Sequence, residues 1–264
     1  MLRMCVGYLL LFLYMADAQR QGCNVAPTFW CDDVTIATQC GVLPACADRL
    51  FPQFAAQAST VEVGVFFESL CPDSIKFITT QLFPTWLKLK ATGIMNITIF
   101  PYGKAKMQQD GSTWNFTCQH GPRECRGNLI ENCLMNATHN ITERYLPVVQ
   151  CMESAKDPIQ AAEPCIVSAG LNWTSIDICA SGADGATLMH RVGVATEALN
   201  PTLNWVPWIT INGMHTDHIQ SMAVDDLHTL VCDTYKGTKP AECVHTKLGI
   251  AYRHKRIKPS KKIY

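Results

Sequence analysis

Fourteen cysteines in 264 residues are the side chains with the most chemistry to offer. Cys5 lies inside a leader-like segment, so thirteen concern the mature chain. Cys23, Cys31, Cys40 and Cys46 form one group; Cys118, Cys125, Cys133, Cys151, Cys165 and Cys179 a second; Cys232 and Cys243 a third. These twelve are the disulfide candidates. An odd total in an oxidising compartment leaves at least one thiol unpaired. Cys71 stands 25 residues after Cys46 and 47 before Cys118, and this isolation selects it. The plainer reading of such a residue is a buried cysteine acting as a small hydrophobe.

What surrounds Cys71 favours chemistry. Val61 to Phe67 is rich in β-formers and mostly apolar, the pattern of a buried strand. Cys71-Pro72-Asp73-Ser74 follows, then Ile75 to Lys90 with apolar residues at near-helical spacing and a kink expected at Pro84. Pro72 suits a first helical position. Cys71 then sits where unpaired N–H groups and the helix dipole favour a thiolate. An ionised Asp73 opposes it. A second strand over Asn96 to Pro101 completes a βαβ unit. Residues 103–180 read as a disulfide-stapled insertion, with helices over Glu143 to Met152 and Pro158 to Ala169. A helix over 186–199, a short strand opened by Pro207 and closed by the Asn212-Gly213 turn, and a last helix over Asp225 to Tyr235 end the domain.

Arg3, the apolar run Val6 to Met15 and Ala16-Asp17-Ala18 are the three parts of a signal peptide, with cleavage expected after Ala18. Sequons at Asn96, Asn115, Asn136, Asn140 and Asn172 predict surface glycosylation in the secretory pathway. Twenty-two basic residues balance 22 acidic ones, which argues against nucleic acid as a partner. A hydrophobic share of 48% argues against a disordered chain, and no apolar run is long enough to cross a membrane as a helix. Nucleotide, zinc-protease and serine-hydrolase motifs are absent. Residues 246–264 form a basic tail read as solvated, with a processed prosegment as the other reading.

The run Cys118-Gln119-His120-Gly121-Pro122-Arg123-Glu124-Cys125-Arg126-Gly127-Asn128, with Cys133 beyond it, resembles the signature of the gamma-interferon-inducible lysosomal thiol reductase (GILT) family. Phe67 to Asp73 resembles the family's approach to its active site. Val206 to Gly213 looks like its thioredoxin-type loop, in which Pro207 is expected to be cis. Val231 to Gly237 with Cys243 looks like its C-terminal end. The resemblance implies an α/β, thioredoxin-like fold with a disulfide-rich helical insertion, spanning 58–245 and including the insertion at about 103–180. It implies a soluble glycoprotein, secreted or lysosomal, that reduces protein disulfides through a Cys-x-x-Cys pair. Residues 19–50 resemble a saposin A-type segment, a small four-cysteine module held by disulfides or a bland disulfide-tied extension.

The sequence departs from that pattern at Ser74. A dithiol site attacks with its first thiol and resolves the mixed disulfide with its second, which a serine cannot do. Cys71 is therefore expected as nucleophile, with Ser74 tuning it and an external small thiol, rather than a cofactor, resolving the adduct. The alternative is an impaired member that binds or traps Cys-containing proteins. Disulfide-containing proteins are the expected substrates, and Pro207 and Val206 the expected substrate-binding residues, pairing with the substrate chain as an added strand. No oligomeric state follows.

Cys118, His120, Cys125 and Cys133 also have zinc-like spacing, but disulfides outweigh a metal in such a chain, and none is expected. Among the late cysteines, proximity favours Cys165 with Cys179 and Cys232 with Cys243. His120 reads as structural more readily than catalytic. His215 and His218 read as a surface turn, and Trp208 as a wall of the substrate groove.

Overall fold

The computed structural model describes residue 23 and residues 25–50 and 59–244. The leader-like segment and the basic tail lie outside them. The chain runs through α1 (Val34–Gln39), α2 (Ala47–Leu50), β1 (Val61–Phe67), α3 (Pro72–Phe77), a π-turn (Ile78–Leu82), α4 (Phe83–Leu89), β2 (Met95–Pro101), β3 (Lys106–Asp110) and β4 (Thr113–Thr117). It continues through α5 (Pro122–Ala137), α6 (Thr142–Glu153), α7 (Pro158–Ser168), α8 (Trp173–Ser181), α9 (Ala183–Glu197), β5 (Trp208–Ile211) and α10 (Asp217–Thr234).

The fold is α/β, with a three-stranded sheet at its centre in the order β2-β1-β5. β1 is parallel to β2 and antiparallel to β5. Val61, Val63, Val65 and Phe67 are buried in β1, and all four residues of β5 are buried. Asn212 and Gly213, both at positive φ, form the expected turn, and Ile211 bridges to Met214 beyond it. The Val206–Pro207 bond is cis.

The helical stretch 72–89 lies along the sheet because Phe77, Ile78, Leu82, Trp86 and Leu89 share one buried face. Pro84 lacks the N–H that an α-helix needs at that position. The strand of helix before it widens into the π-turn rather than kinking sharply at the proline. α10 begins eight residues before the expected Asp225, because Thr216 caps it by accepting from the Ile219 N–H. Its backbone breaks at Asp226 (φ −159°). There Gln81 bridges the break, donating to the Asp225 carbonyl and accepting from the Leu227 N–H at 3.3 and 3.2 Å.

The insertion is more ordered than its sequence suggests. It holds the polar hairpin β3–β4 and four helices, α5 to α8. Its disulfides are Cys118–Cys125, Cys133–Cys179 and Cys151–Cys165. The expected pair of Cys165 with Cys179 is therefore wrong: α8 packs against α5, which presents Cys133 to Cys179, while α7 turns Cys165 toward Cys151 on α6. Cys232 pairs with Cys243. The N-terminal module is closed by Cys23–Cys40 and Cys31–Cys46. It is not a separate bead. Trp30 joins the main core, and the Lys236 ammonium of the chain beyond α10 donates to the Pro27 and Thr28 carbonyls at 3.4 and 3.1 Å. Burial lowers the Lys236 pKa to about 8.

Candidate active site

Cys71 is the free cysteine among the described residues. It caps α3, with Pro72 at the first helical position and the Ile75 N–H donating to the Cys71 carbonyl at 3.0 Å. The residue is only 8% exposed, and its Sγ lies 3.9 Å from the Val206 carbonyl oxygen. The fold thus brings Cys71 and Val206 together from 135 positions apart. Ser74 lies one turn along the helix and is fully buried. Its Oγ accepts from the Glu68 N–H at 3.5 Å, so it bonds to the turn before Cys71 rather than to the thiol.

Pro207 lies beside Val206, but its own carbonyl accepts from Gln220 Nε2 at 2.9 Å. Gln220 Oε1 in turn accepts from the Ile209 N–H at 3.1 Å. Val206 is the residue of this pair whose carbonyl faces the thiol. Next to it opens a cleft of about 270 Å³, lined by Asp73, Lys76, Thr80, Trp205, Val206 and Pro207. Trp208 does not line it. It is buried, stacked at 3.4 Å on His215, and the exposed indole at the rim belongs to Trp205. His215 is correspondingly no surface residue: burial lowers its pKa, and its Nδ1 bonds the Ile209 carbonyl at 2.8 Å.

The signature helix α5 backs the turn that carries Cys71. The Ser69 N–H donates to Asn128 Oδ1 at 3.0 Å, and Ser69 Oγ donates to the Glu124 carbonyl at 3.1 Å. Gly127 permits this approach, since a Cβ there would lie 2.3 Å from Ser69 Oγ. Cys118, Cys125 and Cys133 are all consumed by disulfides, so the four-ligand set spaced like a zinc site does not exist. His120 instead contacts Glu124 Oε2 and lies 3.4 Å from Glu68 Oε2. Glu68 and Glu124 are buried. Burial and then the Glu124 charge raise the Glu68 pKa, against the opposing Lys104 N–H and His120.

A second buried acidic pair escaped the sequence. Glu131 on α5 and Glu153 at the end of α6 are 0% and 1% exposed, and neither finds a hydrogen-bond partner outside the pair. Desolvation pushes the Glu131 pKa up to about 8. Glu153 is raised well above the carboxylate range by desolvation, then by Glu131, with Cys71 a further contributor. Buried glutamates leave no mark in a sequence, where a charged residue reads as solvated. The five sequon asparagines are all exposed.

Residues 62–169 match the family model for gamma interferon inducible lysosomal thiol reductase (GILT). The chain is 44% identical over 223 residues to the gamma-interferon-inducible lysosomal thiol reductase of Carassius auratus, covering 84% of each chain. It is 36% identical over 197 residues to that of Mus musculus, covering 74% of this chain and 76% of the mouse protein. The crystal structure of Chlamydia trachomatis DsbA superposes with a TM-score of 0.43 at 11% identity, covering 75% of this chain and 89% of that one. A buried free cysteine at the head of a helix, the backing helix that carries the long signature, and 44% identity along most of the chain agree: this chain belongs to the gamma interferon inducible lysosomal thiol reductase (GILT) family.

Proposed function

We propose that this protein is a monothiol thiol–disulfide oxidoreductase acting on protein disulfides in the secretory or lysosomal pathway. The observation that carries the reading is the placement of its one free described cysteine, at a helix start, against the Val206 carbonyl and beside an open cleft. The Cys71 thiolate attacks a substrate disulfide, forming a mixed disulfide and releasing one substrate thiol. Ser74 has no sulfur with which to resolve it. A small thiol attacks the Cys71 sulfur, releasing the second substrate thiol, and a second small thiol then frees Cys71. The net change is one protein disulfide reduced and two small thiols oxidised to their own disulfide. Six disulfides among the described residues, exposed sequons and lysosomal thiol reductases among the relatives support an oxidising or lysosomal setting, entered through the signal peptide. The saposin A-type segment fits a sorting or partner-binding module packed on the reductase domain.

The test is reduction of a denatured disulfide-containing protein at acid and neutral pH with a small thiol supplied. Turnover is expected, and its loss in Cys71→Ala. If the unmodified protein gives no turnover but accumulates a mixed disulfide through Cys71, it is a trap for Cys-containing proteins and not an enzyme.

A further inference from the structure

Glu68, His120 and Glu124 converge from two different parts of the chain, the turn before Cys71 and the signature at the start of α5. His120 Nδ1 and one oxygen of each carboxylate all lie within 4.8 Å of one another. The outer oxygen of each glutamate is already held by backbone: Glu68 Oε1 accepts from the Lys104 N–H at 2.7 Å, and Glu124 Oε1 from the His120 N–H at 3.1 Å. Those bonds aim the inner oxygens at one point. There the donors run out. Nδ1 carries at most one hydrogen, and Glu124 Oε2 is in contact with it. Glu68 Oε2, on a side chain with no exposed surface, has no hydrogen-bond partner. The Lys104 ammonium is the weakest of the influences on Glu68. Two buried carboxylates thus face a single imidazole, an arrangement short of positive charge.

We propose that Glu68, His120 and Glu124 bind a zinc ion, through His120 Nδ1 and the inner oxygen of each glutamate. An imidazole with two carboxylates suits zinc better than the all-oxygen shells of calcium or magnesium. Tetrahedral zinc with bonds of about 2.0–2.1 Å sets its ligand atoms roughly 3.3 Å apart. His120 Nδ1 and Glu68 Oε2 stand at 3.4 Å, while Glu124 Oε2, in direct contact with Nδ1, must draw back to admit the ion. The backbone N–H groups on the outer oxygens are the kind of support that metal-ligating carboxylates have. His120, 34% exposed, leaves a side open for solvent as the fourth ligand. Bound there, the ion joins the Cys71 turn to the signature helix. The set owes nothing to the cysteines of the signature, which are paired.

The experiment is zinc titration of the full chain at pH 7.4 against a chromogenic chelator, in a Cys71→Ala background that removes the free thiol. One equivalent is expected to bind, with affinity falling more than about 100-fold in His120→Ala and in Glu68→Gln, beyond what loss of an outer partner costs. X-ray absorption of the zinc-loaded unmodified protein is expected to show nitrogen and oxygen neighbours only. The proposal is overturned by absence of stoichiometric uptake, by uptake indifferent to both substitutions, or by sulfur in the zinc shell. The absorption result stands even where a variant fails to fold.

Discussion

At the scale of the residue, the proposed monothiol chemistry turns on Ser74. It is buried one turn from Cys71 and bonded to the Glu68 N–H, so a sulfur in its place stands within the same turn as the thiol. Ser74→Cys is expected to form an internal disulfide, seen as the loss of all free thiol on oxidation. An intramolecular thiol acts at an effective concentration of millimolar order. At an external thiol of about 0.1 mM the variant should therefore turn over about tenfold faster than the unmodified protein, and the advantage should vanish at high thiol. Trp205 is a different kind of residue. It is 43% exposed at the rim of the cleft, where an indole offers apolar area to an unfolded substrate. Trp205→Ala should raise KM for a protein substrate several-fold and leave kcat unchanged, as loss of uniform binding does. Reduction kinetics on a protein and on a small disulfide separate the two parameters.

At the scale of the element, α5 does the supporting work, and it was the hardest to read. The strand–Cys–Pro–helix unit was legible because β1 is mostly apolar, interrupted only by Glu62 and Gly64, and Cys71 has no neighbour to pair with. α5 was legible only as a signature. Its buried residues include Glu124, Asn128, Glu131 and Asn132, so polar groups lie on its packed faces and no apolar stripe marks it. The β3–β4 hairpin was missed for a related reason: its strands are mostly exposed and polar, and only Asp110-Gly111 signals the turn. Close packing of α5 makes Gly127→Ala costly. An added Cβ meets Ser69 Oγ at 2.3 Å and Ile159 Cδ1 at 2.7 Å, so the gain in helix propensity is overridden by a cost of about 1–3 kcal/mol. Chemical denaturation measures it. The Glu131–Glu153 pair gives α5 and α6 a pH dependence of definite sign. Both folded-state pKa values lie above the unfolded value, so the folded chain keeps protons that the unfolded chain releases. The pair's contribution is fully present below the ordinary glutamate value of 4.5 and is lost as pH rises toward about 8. Melting temperature should fall between pH 5 and pH 8, and Glu131→Gln should flatten that fall.

At the scale of the whole molecule, the disulfides differ in what they restrain. Cys133–Cys179 closes 46 positions and Cys118–Cys125 only 7. Loop-closure entropy assigns them about 4 and about 2.4 kcal/mol. Replacing the first pair by alanines should therefore destabilise more than replacing the second, as paired melts will show. Among the described residues no disulfide joins the N-terminal module to the rest, since Cys23–Cys40 and Cys31–Cys46 both close within it. Trp30 and the Lys236 clasp hold it by contact alone. The exchange of Ser74 for a second thiol reaches furthest at this scale. A dithiol centre has an oxidised and a reduced form, and hence a midpoint potential that the protein tunes. Cys71 beside a serine has no such couple. It stores no electrons between encounters and sets no direction of its own. On the proposed monothiol chemistry, whether this molecule reduces, oxidises or shuffles its substrate's bonds is decided by the redox poise of the surroundings, and the protein sets only how fast.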